Sequence, residues 1–68
     1  MNQDYEANRE LRRLLEKRGM SVSELADRSG VQYTCLCLVL REERPLYADE
    51  LPPLARALGV TADALLGI

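Results

Sequence analysis

The sequence predicts an all-α fold of five short helices. Apolar residues recur at three- and four-residue spacing, and capping residues and glycines bracket the apolar segments. The stretch from Ser21 to Arg41, SVSELADRSGVQYTCLCLVLR, divides into two helices around a single glycine. Within it, Ser21 and Glu24 form an S-x-x-E capping box, in which each side chain satisfies a backbone N–H of the first turn. Leu25 and Ala26 face inward while Asp27 and Arg28 lie outside. Gly30 ends the helix, because glycine accepts the left-handed conformation found there. Val31 plugs the corner. Gln32, Tyr33 and Thr34 then open a second helix, whose Cys35, Leu36, Val39 and Leu40 recur at helical spacing. That is a helix-turn-helix by spacing alone.

In chain order, residues 1–7 read as a frayed lead-in. A first helix runs from Asp4 or Tyr5 to Arg18, with Leu11, Leu14 and Leu15 as its apolar stripe. Acids fill its first turns and bases its last, which suits the helix dipole, and Gly19 ends it. Its basic cluster, Arg9, Arg12, Arg13, Lys17 and Arg18, has two readings: a solvated face paired with Glu6, Glu10 and Glu16, or a patch that lies near phosphate. The second helix covers about Val22 to Ser29 and the third about Tyr33 to Leu40. TCLCLVL is also β-prone, but the capped helix before it, the Gly-Val corner and the lack of a second strand candidate decide for helix. Arg41 to Glu50 form a polar loop. Pro53 should open the fourth helix, because the residue before a proline avoids the helical region and proline suits the first helical position. That helix presents Leu54, Ala55 and Leu58 inward and stops at Gly59. Thr61 caps a fifth helix carrying Asp63, Leu65 and Leu66. The expected core is Leu11, Leu14, Leu25, Ala26, Val31, Leu36, Val39, Leu54, Leu58 and Leu65, with Ala26 nearly fully buried where the second and third helices approach.

The spacing of Ala26, Gly30, Val31, Leu36 and Val39 resembles that of the lambda repressor/Cro-like (XRE-type) helix-turn-helix family. The resemblance extends from about Leu11 to Leu66, and LARALGVTADALLG is similar to the family's C-terminal half. It implies a five-helix lambda-repressor-like DNA-binding domain occupying residues 1–68 as a single unit. Several positions depart from the family pattern. Val22 stands where relatives often carry a phosphate-touching Gln, and Cys37 and Leu38 stand where polar or basic residues are usual. Leu40 and Leu15 replace a common acid and its basic partner on the first helix, an exchange that can be neutral or stabilising. Glu42 occupies a frequent glycine position.

Bulk properties narrow the function classes. A chain of 68 residues buries only about 60% of its unfolded surface, which favours added support from a second copy. No apolar run approaches the roughly 18 residues that cross a bilayer, and the charged start MNQDYEANRE is unlike a signal peptide, so a cytoplasmic location is expected without membrane contact. Cys35 and Cys37 sit about 200° apart on a helix and can neither bridge nor chelate together. The chain has no histidine, no phosphate-cradling glycine loop and no Ser or Cys with a recognisable base partner, so neither an enzyme nor any cofactor or metal is expected. The net charge of −2 argues weakly against nucleic acid, whose binders usually carry a basic patch. Between Ser29 and Leu40 there is no charged residue.

The resemblance implies a transcriptional regulator that binds a palindromic operator in double-stranded DNA as a homodimer. In such proteins the third helix enters the major groove. By position its contacts are Gln32, Tyr33 and Thr34, with Cys37 and Leu38 one turn further on, and Arg41 and Arg44 on phosphate. Gln can bond adenine, Thr several bases, and apolar groups a thymine methyl. Gln32 also reads as a cap residue and Tyr33 as a surface aromatic. Leu65, Leu66 and Ile68 are the candidate dimer seam. The alternative is a helix-turn-helix whose apolar Val22–Leu38 face binds a protein partner, as in an antirepressor or a self-assembling regulator.

Overall fold

The computed structural model describes residues 5–66. Among them the chain forms five α-helices and one short 3-10 turn, with no strand: α1 (Glu6–Arg18), α2 (Val22–Ser29), α3 (Tyr33–Leu40), the 3-10 turn Ala48–Glu50, α4 (Leu51–Leu58) and α5 (Ala62–Leu65). The β-prone TCLCLVL run is helical throughout. Asp4 as a helix start and Ile68 as a seam residue lie outside the described residues, and Tyr5 is the residue that precedes α1.

Glycines in the left-handed region end α1, α2 and α4, at Gly19 (φ 65°), Gly30 (φ 80°) and Gly59 (φ 71°). Thr61 Oγ1 accepts the Ala64 N–H at 3.3 Å and starts α5 as expected.

The start of α4 differs from expectation. The helix opens at Leu51 rather than Pro53, and Leu51 is helical (φ −62°, ψ −49°) despite preceding Pro52. The 3-10 turn delivers the chain already coiled, and both prolines fall in the first turn, where a missing N–H leaves no helical bond unmade.

The core gathers one stripe from each helix: Leu11, Leu14 and Leu15 from α1, Leu25 from α2, Leu36 and Val39 from α3, Leu54, Ala55 and Leu58 from α4, and Leu65 from α5. Ala26 and Val31 are corrections. Both pack against this core but remain partly reached by solvent. Helices of eight residues are only about two turns long, so the corner they form lies at the surface of the core.

A polar residue also lies inside. Asn8 is 2% exposed, and its side-chain amide donates to the Val39 carbonyl at 3.0 Å and the Arg44 carbonyl at 2.8 Å. Both bonds satisfy a group that would be costly to bury unpaired. They fasten α1 to the end of α3 and the loop beyond.

Candidate nucleic-acid interface

α2 and α3 are set by local caps. Ser21 Oγ accepts the Glu24 N–H at 3.1 Å, which is half of the expected capping box. The other half is replaced, because the Glu24 carboxylate turns along the helix to Arg28 at 2.7 Å. After Gly30, the Ser29 hydroxyl accepts the Val31 N–H at 3.1 Å and turns the chain toward α3. Gln32, in extended conformation, enters the helix with its carbonyl accepting the Leu36 N–H at 3.0 Å.

This geometry buries Leu36 and Val39 and leaves the opposite face of α3 outside. Gln32, Tyr33 and Thr34 are exposed, Tyr33 at 53%, and Cys37 and Leu38 are half-buried one turn on. The Cys37 thiol pushes the Tyr33 phenol above its ordinary value, which already lies well above neutral pH, and the hydroxyl is a donor there. Gln32 Oε1 takes a long 3.9 Å contact from Cys35 Sγ. All five expected base-contacting positions are therefore at least partly open to solvent.

The two expected phosphate contacts part company. Arg41 is exposed just beyond α3, its guanidinium 3.2 Å from Glu43 in an ion pair whose side chains are 62% and 50% accessible. Such a pair is weak and exchangeable. Arg44 is drawn instead toward the start of α4. Its guanidinium makes a two-pronged bond to Glu50, at 3.2 and 2.6 Å, donates to the Pro45 carbonyl at 2.8 Å, and lies 4.5 Å from the centre of the Tyr47 ring. The Glu50 hydrogen bonds hold Arg44 above its ordinary pKa. Burial pushes the Glu50 carboxyl up, but the Arg44 bonds and the Tyr47 N–H at 3.1 Å outweigh it and hold the carboxyl below its usual range. Arg44 is thus occupied as the anchor of the α3–α4 loop. An i to i+6 pair across a loop carries no periodic signal, so sequence reading missed Glu50 as its partner.

Between α3 and Arg44 the chain reverses through Glu42, whose φ is 59°. This is the left-handed region that favours glycine. The Glu42 and Glu43 N–H groups cap the carbonyls of Val39 and Leu38 at 3.0 and 2.9 Å, and Arg9 reaches Glu42 at 3.3 Å. The basic cluster of α1 is accordingly split: Arg13 pairs with Glu10, Arg9 with Glu42, and Arg12 borders a groove.

That groove, of about 300 Å³, lies where the end of α1, the start of α2 and the end of α3 meet. Leu15, Met20, Val22 and Leu40 line it. Leu15 is 5% exposed and Leu40 half-buried, so the two residues standing at the family's ion-pair positions meet one apolar space. Val22, in this groove, and Leu38, on α3, are both half-buried, so part of each side chain is exposed.

No helix among the described residues is long and apolar enough to cross a membrane. No curated protein matches the chain. The structure is similar to the restriction-modification controller protein C.AhdI of Aeromonas hydrophila, with a TM-score of 0.81 and 28% identity over 88% of this chain and 91% of that one. It is also similar, with a TM-score of 0.81 and 32% identity over 96% of this chain, to 15% of the Streptomyces albus HEPD chain, solved with substrate 2-hydroxyethylphosphonate and Fe(II) bound. A family model described as the Cro/C1-type helix-turn-helix DNA-binding domain matches residues 10–68. Through that match over most of its length, the chain belongs to the Cro/C1-type helix-turn-helix DNA-binding family.

Proposed function

We propose that this protein is a sequence-specific transcriptional regulator that binds a palindromic site in double-stranded DNA as a homodimer and carries out no catalysis. The observation that carries this reading is the outward face of α3: Gln32, Tyr33 and Thr34 stand exposed at its start, with Cys37 and Leu38 beside them. A helix start with its early side chains free is the part that enters the major groove in helix-turn-helix proteins. Arg41, at the far end of α3, supplies a phosphate contact once it exchanges Glu43 for the DNA backbone. The likeness to a controller protein over nearly the full length of both chains supports the same reading. Leu66, 43% exposed after α5, is the described residue best placed for a dimer seam, since Leu65 is fully buried in the core.

A second reading is favoured by one specific observation. Four arginines around α3 are paired with acids of the same chain: Arg9 with Glu42, Arg28 with Glu24, Arg41 with Glu43 and Arg44 with Glu50. That dampens the positive potential that attracts DNA, and it suits a protein-binding face around Val22 and Leu38. The likeness to a segment of a much longer chain adds that such a fold can be one part of a larger protein.

Binding of labelled random-sequence duplex, followed by fluorescence anisotropy at low salt alongside sedimentation, separates the two. A DNA-reading dimer retains specific duplex, and Val22→Gln tightens it slightly by adding a phosphate donor. A wild type that ignores every duplex, yet self-associates or holds a partner through a surface that Leu38→Ala disrupts, overturns the first reading.

A further inference from the structure

We infer that the recognition face of α3 reads the 5-methyl groups of thymine, so that A·T pairs in the half-site are distinguished mainly by a methyl group rather than by charge-assisted hydrogen bonds. The inference rests on the DNA-binding reading above and deepens it.

The major groove offers each base pair a different set of partners. Guanine presents two acceptors that call for Arg or Lys, cytosine an amino donor that calls for a carboxylate, adenine an acceptor and a donor that suit Gln or Asn, and thymine an acceptor beside a methyl group. α3 has no Arg, Lys, Asp or Glu from Tyr33 to Leu40. The nearest cation beyond it, Arg41, is engaged by Glu43, and Arg44 is anchored on Glu50. The chemistry that reads guanine and cytosine most strongly is therefore missing from this helix.

What remains is uncharged, and part of it is a contiguous apolar patch. Thr34 and Leu38 are four residues apart and Cys37 lies between them in register, so the three share one face of the helix. Leu36 and Val39, fully buried, fix that face outward. It carries an exposed threonine, with a methyl beside its hydroxyl, and parts of a half-buried cysteine and leucine. A thymine methyl pressed against it leaves water on both sides of the contact. Gln32, whose amide among the described residues meets only the long Cys35 contact, is the one carboxamide near the start of α3 and can read an adenine.

The deciding changes are made in the DNA, against the wild-type protein. Duplexes retained by the wild-type protein from a random pool should be enriched in A·T pairs at half-site positions. Replacing single thymines by uracil, which removes only the methyl, should weaken binding about fourfold at each contacted position, the effect of withdrawing one methyl-sized group from an apolar contact. In Leu38→Ala the uracil effect should vanish at one position and persist at the others, because the two changes remove the same contact. Retained sequences rich in G·C at the half-site, or uracil substitution without effect at every thymine, overturn the methyl readout and leave DNA binding standing. Retention of no duplex at all overturns both.

Discussion

Arg44 and Glu50 close a two-pronged ion pair, 2.6 Å at its shorter contact, with side chains only 15% and 18% exposed. The pair ties the loop after α3 to the start of α4, and Tyr47 covers it from outside. A residue positioned as a phosphate contact is thereby a structural clamp. Removing one partner leaves the other charge partly buried without its mate. Arg44→Ala should lower stability by about 1.5–3 kcal/mol, the range for hydrogen bonds to charged groups. The pH dependence has a definite sign. Glu50 is depressed in the folded state, so its contribution is complete above the ordinary carboxylate value of about 4.3 and is lost as pH falls through the folded value. The stability difference between wild type and Glu50→Gln should accordingly shrink on acidification toward pH 3. Thermal melts at several pH values check this, and a difference that stays constant would show that the pair adds nothing.

Asn8 makes a second long-range clamp, committing its amide hydrogens to backbone carbonyls 31 and 36 residues away. Asn8→Leu keeps the branched heavy-atom shape, in a larger side chain, but leaves those carbonyls without the donor, at a cost of about 1–3 kcal/mol. Asn8→Asp should be worse at neutral pH, since a carboxylate would face two carbonyl oxygens, and should recover as acid protonates it. Denaturant titration of both variants at two pH values reads the difference. Equal stability of the two variants at neutral pH would contradict the hydrogen-bond assignment.

These two clamps mark the boundary of what the sequence makes legible. The limits of α2 and α3 follow from residues within a turn of each end: Ser21, Gly30 and Gln32 act locally, so their roles can be read locally. The exposure of Tyr33 and Thr34 follows in the same way from helical phase, and that of Gln32 from its extended place ahead of the helix. Asn8 and Arg44 are different. Their partners lie across the fold or beyond a loop, where no period links them, and each looks like an ordinary surface residue in the chain. Helical pattern sets Ala26 and Val31 too deep, because it shows which way a residue faces and not how far the neighbouring helix extends over it. It sets the start of α4 too late for a related reason, since the 3-10 turn that coils the chain ahead of Pro52 has no apolar pattern of its own.

Glu42 carries a further consequence of the loop. Its φ of 59° is a conformation that costs a non-glycine residue about 1–2 kcal/mol. Glu42→Gly removes that strain, gives up an exposed contact with Arg9, and frees the unfolded chain somewhat. The net effect should be stabilising by about 0.5–1 kcal/mol. Glu42→Ala loses the same ion pair but keeps the strain, so it should gain nothing. If the two variants melt alike, the left-handed conformation is not what sets the stability at this position.

Leu15 and Leu40 line the same groove, one buried and one half-buried. Leu15→Ala should cost about 2–5 kcal/mol as a core truncation. Leu40→Ala should cost less, because the groove already gives its side chain to solvent on one side. The double variant should depart from the sum by at least about 0.5 kcal/mol, as residues that share a cavity do. Strict additivity in the cycle would place the two side chains in separate environments and leave the apolar exchange without a structural basis.

Arg41 and Arg44 finally separate phosphate binding from loop anchoring by their response to salt. Each phosphate contact adds roughly 0.9 to the slope of log affinity against log salt. Arg41 is exposed and held only by Glu43, so Arg41→Ala should flatten the slope by about one unit and weaken all duplexes alike. Arg44 is already neutralised by Glu50 at the start of α4. Arg44→Gln should therefore lower the melting temperature while leaving the slope of the folded protein unchanged. Glu43→Gln supplies the complementary change: releasing Arg41 from its acid should tighten binding with the slope unchanged, since the arginine makes the same phosphate contact without first breaking an ion pair. Anisotropy titrations over a range of salt concentrations, kept well below each variant's melting temperature, measure all three. A slope that falls with Arg44→Gln and not with Arg41→Ala reverses the assignment and puts the loop clamp on the DNA.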